Sequence, residues 1–467
     1  MLVAFGMIGT SLSGVTFVSV PGGVGSGHFF YFQVVLGYLL GYIVIAFVLL
    51  PLYYRLNLTS IYAYLNSRFG EKAHKAGASF FILSRTVGAT ARLYLVINIL
   101  QIFILDKLGV PFMATAFVIL LMILLYTFEG GVKTIIYTDT LQTAGMLLGL
   151  VICTIVILKA LGTDLSGAFQ TLSSEGYTQI FNTDFKSGSY FIKHILGGMF
   201  IAIAMTGLDQ EMMQKNISVN RLKDAQKNMM SFTAVLMLVN FMFLFLGGIL
   251  YLYANKMNLP TGNPDDLFPT IALSEPFSGT IGVLFIIALI SALFPSVDGA
   301  ITSLTSSFCI DILKIREKQT DEAKQKKTRL GVHIGFALLF FILVLMFKAI
   351  NDKLIIDFIL KMAGITYGPL LGLFAFGILT QKNINEKLLW TVCILAPILT
   401  LCIDMLSSPE WYEKKLHIEL GISQCSESIF GGYKIGNELI LINGLLTFAG
   451  LLVITQKKKS NDAAGRI

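Results

Sequence analysis

Arg85 and Arg92 stand seven residues apart inside one long apolar run, and Asp139 and Asp298 stand inside two others. A charge at the centre of a membrane helix costs about 2.5–3.5 kcal/mol on insertion scales, so such a side chain faces a cavity or a partner. Seven residues are two helical turns, which puts the arginines on nearly the same face. A guanidinium there can hold a substrate carboxylate through charge-assisted hydrogen bonds. The same placement also suits a structural ion pair, or a side chain snorkelling to an interface. Asp139 and Asp298 each read in two ways: as a cation-coordinating or coupling group, or as half of a salt bridge. Asp209 and Glu211, in Thr206-Gly207-Leu208-Asp209-Gln210-Glu211, read as surface pairing near the cytoplasmic exit. Asp357 and Lys361, four apart, read as a pair with each other.

Neutral oxygens cluster beside these charges. Gly9-Thr10-Ser11-Leu12-Ser13-Gly14-Val15-Thr16 lies within an apolar run that would otherwise be a plain helix. Gly and Ser weaken the helical ladder, and unwound backbone is tolerated at membrane depth only where it lines a cavity or is buried in protein. Freed carbonyls can bind a cation and nearby hydroxyls a polar solute. The competing reading is close helix packing through small residues. The run near 276–308 carries Ser291, Ser296, Thr302, Ser303, Thr305, Ser306 and Ser307. Such hydroxyls either bond back to helix carbonyls or help supply the several oxygens that a hard cation needs. Gly364-Ile365-Thr366-Tyr367-Gly368-Pro369 marks a bend in a later run.

The elements that must position these groups are membrane helices. The 467 residues are 55% hydrophobic and 13% charged. About twelve apolar runs of membrane-spanning length recur, near 2–20, 30–53, 76–106, 110–128, 138–160, 191–212, 228–255, 276–308, 330–350, 354–380, 388–407 and 436–455. Lys and Arg collect in alternate loops: Arg55 to Lys75, Lys133, Lys215 to Lys227, Lys314 to Arg329, Lys382 and Lys387, and Lys457 to Lys459. This pattern requires an even number of spans with both termini cytoplasmic. The segments near 161–190 and 408–435 are then external loops. The net charge of +7 reflects that distribution and is no nucleic-acid signal.

Other classes are poorly served. The five cysteines form no CxxC pair, and the five histidines form no HxxxH or HExxH, so neither a disulfide framework nor a zinc site is implied. A membrane enzyme would want clustered histidines and acids at one surface. A solute sensor would want a signalling domain, and the tail is short. The first residues lack a basic stretch and cleavage site, so no signal peptide is read.

Several stretches in order resemble one family, the sodium:solute symporters, which include sugar, proline and sialic acid carriers. They are GTSLSGVTFVSVPG at Gly9–Gly22, RLNLTSIYAYLNSRFG at Arg55–Gly70, FEGGVKTIIYTDTLQ at Phe128–Gln142, TGLDQEMMQKN at Thr206–Asn216, the hydroxyl-rich run ending in Asp311-Ile312, and TYGPLLGLF at Thr366–Phe374. The resemblance implies an all-α polytopic fold: a core of two inverted five-helix repeats at 1–160 and 191–380, with a broken first helix. Residues 381–467 then form two accessory helices and a short cytoplasmic tail. Family members carry a helix before Gly9–Thr16, and this chain starts almost inside that stretch, so an upstream helix is either missing from the gene model or absent from the protein.

The resemblance also implies a sodium site made by the carbonyls of Gly9, Leu12 and Ala292 and the hydroxyl of Ser296. Family members commonly have two adjacent hydroxyls here, and the first position is Pro295. In the sialic acid carriers a second sodium uses an acid matching Asp139 and serines that correspond to Pro295, Asp298 and Gly299. A solute site similar to theirs falls on Ser11, Ser13, Thr16, Gln33, Arg85 and Phe200. The expected activity is sodium-coupled symport of a small polar solute, with a carboxylated sugar such as sialic acid first in line and no enzymatic chemistry. Proton-coupled or facilitative carriage of a sugar, amino acid or other carboxylate is the alternative. The expected setting is a plasma (inner) membrane, with lipid and solute as partners and no nucleic acid or obligate protein partner.

Overall fold

The computed structural model describes the chain apart from residues 1, 59, 128–131, 261, 319–320, 351–354, 417–420 and 457–467. Phe128 to Gly131, at the head of one matched stretch, and the tail lysines Lys457 to Lys459 therefore lie outside the described residues. The fold is helical because backbone polar groups in lipid must be satisfied within the segment that carries them. Among the described residues, seven helices are long and apolar enough to cross a membrane. We label α3 (Tyr31–Leu56), α4 (Glu71–Leu108), α6 (Val132–Leu161), α9 (Leu222–Lys256), α10 (Thr280–Ser307), α11 (Glu322–Ile350) and α14 (Leu389–Ser407). Three bent pairs make further spans: α1 (Leu2–Ser11) with α2 (Gly14–Gly22), α7 (Phe191–Gly207) with α8 (Gln210–Ile217), and α12 (Ile355–Thr366) with α13 (Gly368–Leu379). The expected fourth and twelfth spans are α5 (Phe112–Thr127) and α15 (Leu439–Val453), which are apolar but shorter, at 16 and 15 residues.

Each break has a local cause. Ser13 is extended, at φ −111° and ψ 177°, and its backbone N–H donates to Thr16 Oγ1 at 3.4 Å, so a new helix starts there and turns 53° from the old one. The pair α7/α8 bends by 68°. Asp209 leaves the helical region and its carboxylate accepts from the Met212 N–H at 3.0 Å, capping α8. The sequence reading anticipated the first break and the one at Gly368-Pro369, which bends 48°, but not this second one.

Close contact through glycine holds α3 to α7. A methyl placed on Gly37 would sit 2.2 Å from the Ile195 carbonyl oxygen, and one on Gly198 would sit 2.3 Å from that of Val34. Backbone meets backbone here, as small residues allow in membranes. Phe17 of α2 anchors the centre, with ring centroids 5.8, 5.2 and 5.7 Å from Phe243, Phe268 and Phe285.

Two expected pairings are corrected. Lys361 binds Asp404 of α14 at 2.8 Å and lies over the Trp411 ring at 3.9 Å, so it is not the partner of Asp357. A carboxylate and an aromatic face from neighbouring elements outbid a helix-surface pair worth only about 0.2–0.5 kcal/mol. Asp209 and Glu211 are buried, not at a surface, because the α7/α8 bend turns them inward.

Candidate functional site

The α1/α2 break opens onto a cavity of about 100 Å³. Ser11, Ser13 and Thr16 line it from the break, Tyr31, Tyr38 and Tyr42 from α3, and Arg85 and Arg92 from α4. Ile356, Ile359 and Leu360 of α12 add an apolar wall. Hydroxyls, aromatic edges and two guanidiniums thus converge on one space. Among the sequence-proposed solute ligands, Ser11, Ser13, Thr16 and Arg85 meet there. Gln33 is engaged elsewhere: it is fully buried, its amide donates to the Phe30 carbonyl at 3.0 Å, and its oxygen accepts from the Asn182 N–H at 3.4 Å. Phe200 packs against the core beside the cavity without lining it.

The two arginines are held differently. Arg85 is 4% exposed, donates from Nη2 to Glu211 Oε2 at 2.5 Å, and has Nε 3.6 Å from Asp209 Oδ2. Arg92 is half-buried on the same cavity, and no described side chain forms an ion pair or hydrogen bond with it. The hydroxyls of Tyr31 and Tyr38, 3.5 Å apart, belong to side chains that line the same cavity. Of the two guanidiniums, Arg92 is the one with donors to spare for a ligand.

Beneath the cavity lies a buried charge network. Lys215 of α8 donates from Nζ to Thr10 Oγ1 at 2.6 Å, Asp139 Oδ2 at 2.9 Å and Glu211 Oε1 at 3.0 Å. Glu211 thereby joins Arg85 to Lys215. Asp298 is fully buried nearby: one carboxylate oxygen accepts from the Gly299 N–H at 2.5 Å, and the other has no hydrogen-bond partner among the described residues. Asp139 Oδ1 is likewise without one. The sequence reading singled out Asp139, Asp298 and Arg85 but passed over Lys215, Thr10 and Glu211 as members of one cluster. The signal was the i,i+4 spacing of Glu211 and Lys215; it was misplaced because the α7/α8 bend went unseen.

Of the proposed sodium ligands, Gly9 lies at the crossing of α1 with α10. A methyl on Gly9 would lie 2.2 Å from Thr143 Oγ1, 3.3 Å from the Asp139 carbonyl oxygen and 3.6 Å from Pro295 Cβ. The last turns of α1 and the middle of α10 are therefore in contact. Ser296 Oγ donates to the Leu293 carbonyl at 2.8 Å, which leaves its lone pairs for a cation. Pro295 presents carbon to this crossing where a hydroxyl was expected.

Comparison with known proteins agrees with this architecture. The chain is 24% identical over 423 residues to the sodium/sialic acid symporter NanT of Aliivibrio fischeri, covering 85% of this chain and 78% of that one. It is 25% identical over 386 residues to the sodium/sialic acid symporter SiaT of Proteus mirabilis, covering 80% and 75%. In fold it matches a solved Na+-coupled sialic acid symporter in a substrate-bound outward-open state, with TM-score 0.77 and 21% identity over 97% of this chain and 88% of that one. The model of the "Sodium:solute symporter family" matches residues 1–394. Broken helices that meet at a hydroxyl-lined cavity, together with a family match over most of its length, show that the chain belongs to the sodium:solute symporter family.

Proposed function

We propose that this protein is a sodium-driven symporter that imports a small polar carboxylate across the plasma (inner) membrane, with a carboxylated sugar such as sialic acid as the leading substrate. The observation that carries the substrate class is Arg92, a guanidinium without an acidic partner among the described residues, on a cavity walled by serine, threonine and tyrosine hydroxyls. A guanidinium forks onto a carboxylate, and hydroxyls match a polyol. Ser11, Ser13 and Thr16 bind the solute, Arg92 anchors its carboxylate, and Arg85 forms the wall beside it. Sodium binds at the carbonyls of Gly9, Leu12 and Ala292 and the hydroxyl of Ser296. The two five-helix repeats rock around this point, and both termini are cytoplasmic. The similarity to two sodium/sialic acid symporters supports the coupling ion and the leading substrate.

The test is uptake of labelled sialic acid into proteoliposomes, with and without an inward sodium gradient. Sodium-driven accumulation that is lost in Arg92→Ala and partly kept in Arg92→Lys is the expected result. Uptake indifferent to sodium would replace this reading with a proton-coupled or facilitative carrier. Accumulation of a neutral sugar in place of the acid would remove the carboxylate anchor.

A further inference from the structure

We infer that the Lys215 ammonium occupies the place beside Asp139 where a second sodium ion would bind, and that this carrier consequently couples solute to a single sodium ion. The inference rests on the sodium-driven reading above. A second sodium would need Asp139 together with side-chain oxygens on α10, and two of the three α10 positions, Pro295 and Gly299, have none. The space over Gly299 is already taken: a methyl built there would lie 2.1 Å from Glu211 Oε1.

What fills the position is an ammonium. An ammonium has three N–H donors, and Lys215 spends them on three oxygens from three elements: Thr10 of α1, Asp139 of α6 and Glu211 of α8. Lys215 is 3% exposed, so water does not compete for those donors. The group cannot diffuse away, since it is tethered through α8 and its own carboxylate neighbour is one turn back. With Arg85 of α4 joined through Glu211, Asp209 ahead of α8 and Asp298 of α10, the whole cluster holds two basic groups, Lys215 and Arg85, against four acidic ones, Asp139, Asp209, Glu211 and Asp298. The fixed cation therefore meets real negative charge, as a bound metal ion would. A mobile ion entering beside it would find Asp139 Oδ1 and Asp298 Oδ2 without hydrogen-bond partners among the described residues, two oxygens where a hard cation needs several, and would meet the positive charge of the ammonium.

The experiment counts sodium directly, so that it does not depend on knowing the solute. Radioactive sodium binding to the purified full chain in detergent is expected to saturate at one ion per chain, with hyperbolic dependence and a Hill coefficient of about 1. Lys215→Arg keeps that count. Lys215→Gln removes the fixed charge and frees the oxygens of Thr10, Asp139 and Glu211 for a mobile ion, so the count rises to two with a sigmoid dependence. Two ions in the unaltered protein overturn the inference and leave sodium-driven transport standing. A folded Lys215→Gln protein that still binds one ion overturns the assignment of the ammonium to a cation position. If Lys215→Gln does not fold, the count on the unaltered protein still decides. Absence of any sodium binding overturns the sodium-driven reading and the inference together, an outcome separable from a count of two.

Discussion

Arg85 and Arg92 share a helix and a face yet serve different ends, and the difference is the company each keeps. Arg85 is sealed into ion pairs with Glu211 and Asp209, so its removal leaves two buried carboxylates short of a cation. Breaking a buried pair from one side costs about 3–5 kcal/mol. Arg85→Ala should thus lower the unfolding temperature in detergent sharply; an unchanged melting curve would mean the pair contributes little. Arg92 has no such debt. Arg92→Ala should leave the melting curve nearly where it was. Loss of hydrogen bonds from a charged donor, about 1.5–3 kcal/mol, should raise the KM for a carboxylated solute roughly ten- to hundred-fold. Equal affinity of that variant for the acid would show that the anchor lies elsewhere.

At the scale of elements, the contacts that let helices cross closely are the most exposed to change. Gly198→Ala places a methyl 2.3 Å from the Val34 carbonyl oxygen, a backbone atom that cannot swing away. Overpacking of this kind costs about 1–3 kcal/mol. Gly88→Ala in α4 meets no atom within 4 Å and should be neutral or stabilising, by up to about 1 kcal/mol for a helix-interior glycine. Melting temperatures of the two variants side by side check the contrast. Asp265 tests the outer connection between α9 and α10. It accepts from the Ile355 N–H at 3.0 Å, and burial pushes its carboxyl up to about 7. The folded protein then holds a proton that the unfolded chain has released above about pH 4. The associated stability is full below that value and is lost as pH rises to about 7, on the order of 4 kcal/mol in all. Asp265→Asn keeps an acceptor for Ile355 and should flatten that slope when unfolding is followed between pH 5 and 8.

For the whole molecule, orientation and driving force are the measurable properties. Cys425 is exposed in the segment between α14 and α15, which the charge pattern places outside. A membrane-impermeant maleimide should therefore label it in intact cells without permeabilisation; labelling only after permeabilisation would invert the topology. One sodium ion crossing a tenfold gradient and about 100 mV yields about 3.7 kcal/mol. The entry of a carboxylate anion against the same voltage takes back about 2.3 kcal/mol, so one-to-one coupling limits accumulation of the acid to roughly tenfold. Accumulation well above that limit would require a second coupled ion and would count against the fixed Lys215 cation.

Membrane spans, the broken first helix and the bend at Gly368-Pro369 were legible in the chain because each follows from residues within one or two helical turns. So did the carbon at Pro295 where an oxygen was expected. The partners of the buried charges were not legible, since they are chosen across the fold: Arg85 and Glu211 are 126 residues apart, and Lys215 and Asp139 are 76 apart. Nothing near Arg85 distinguishes it from Arg92. Only when the α7/α8 bend carries Asp209 and Glu211 inward does one guanidinium become a strut and leave the other on the cavity without an acidic partner among the described residues. Hydrophobic patterning is local and survives in sequence, whereas charge pairing depends on which helices the bends bring together.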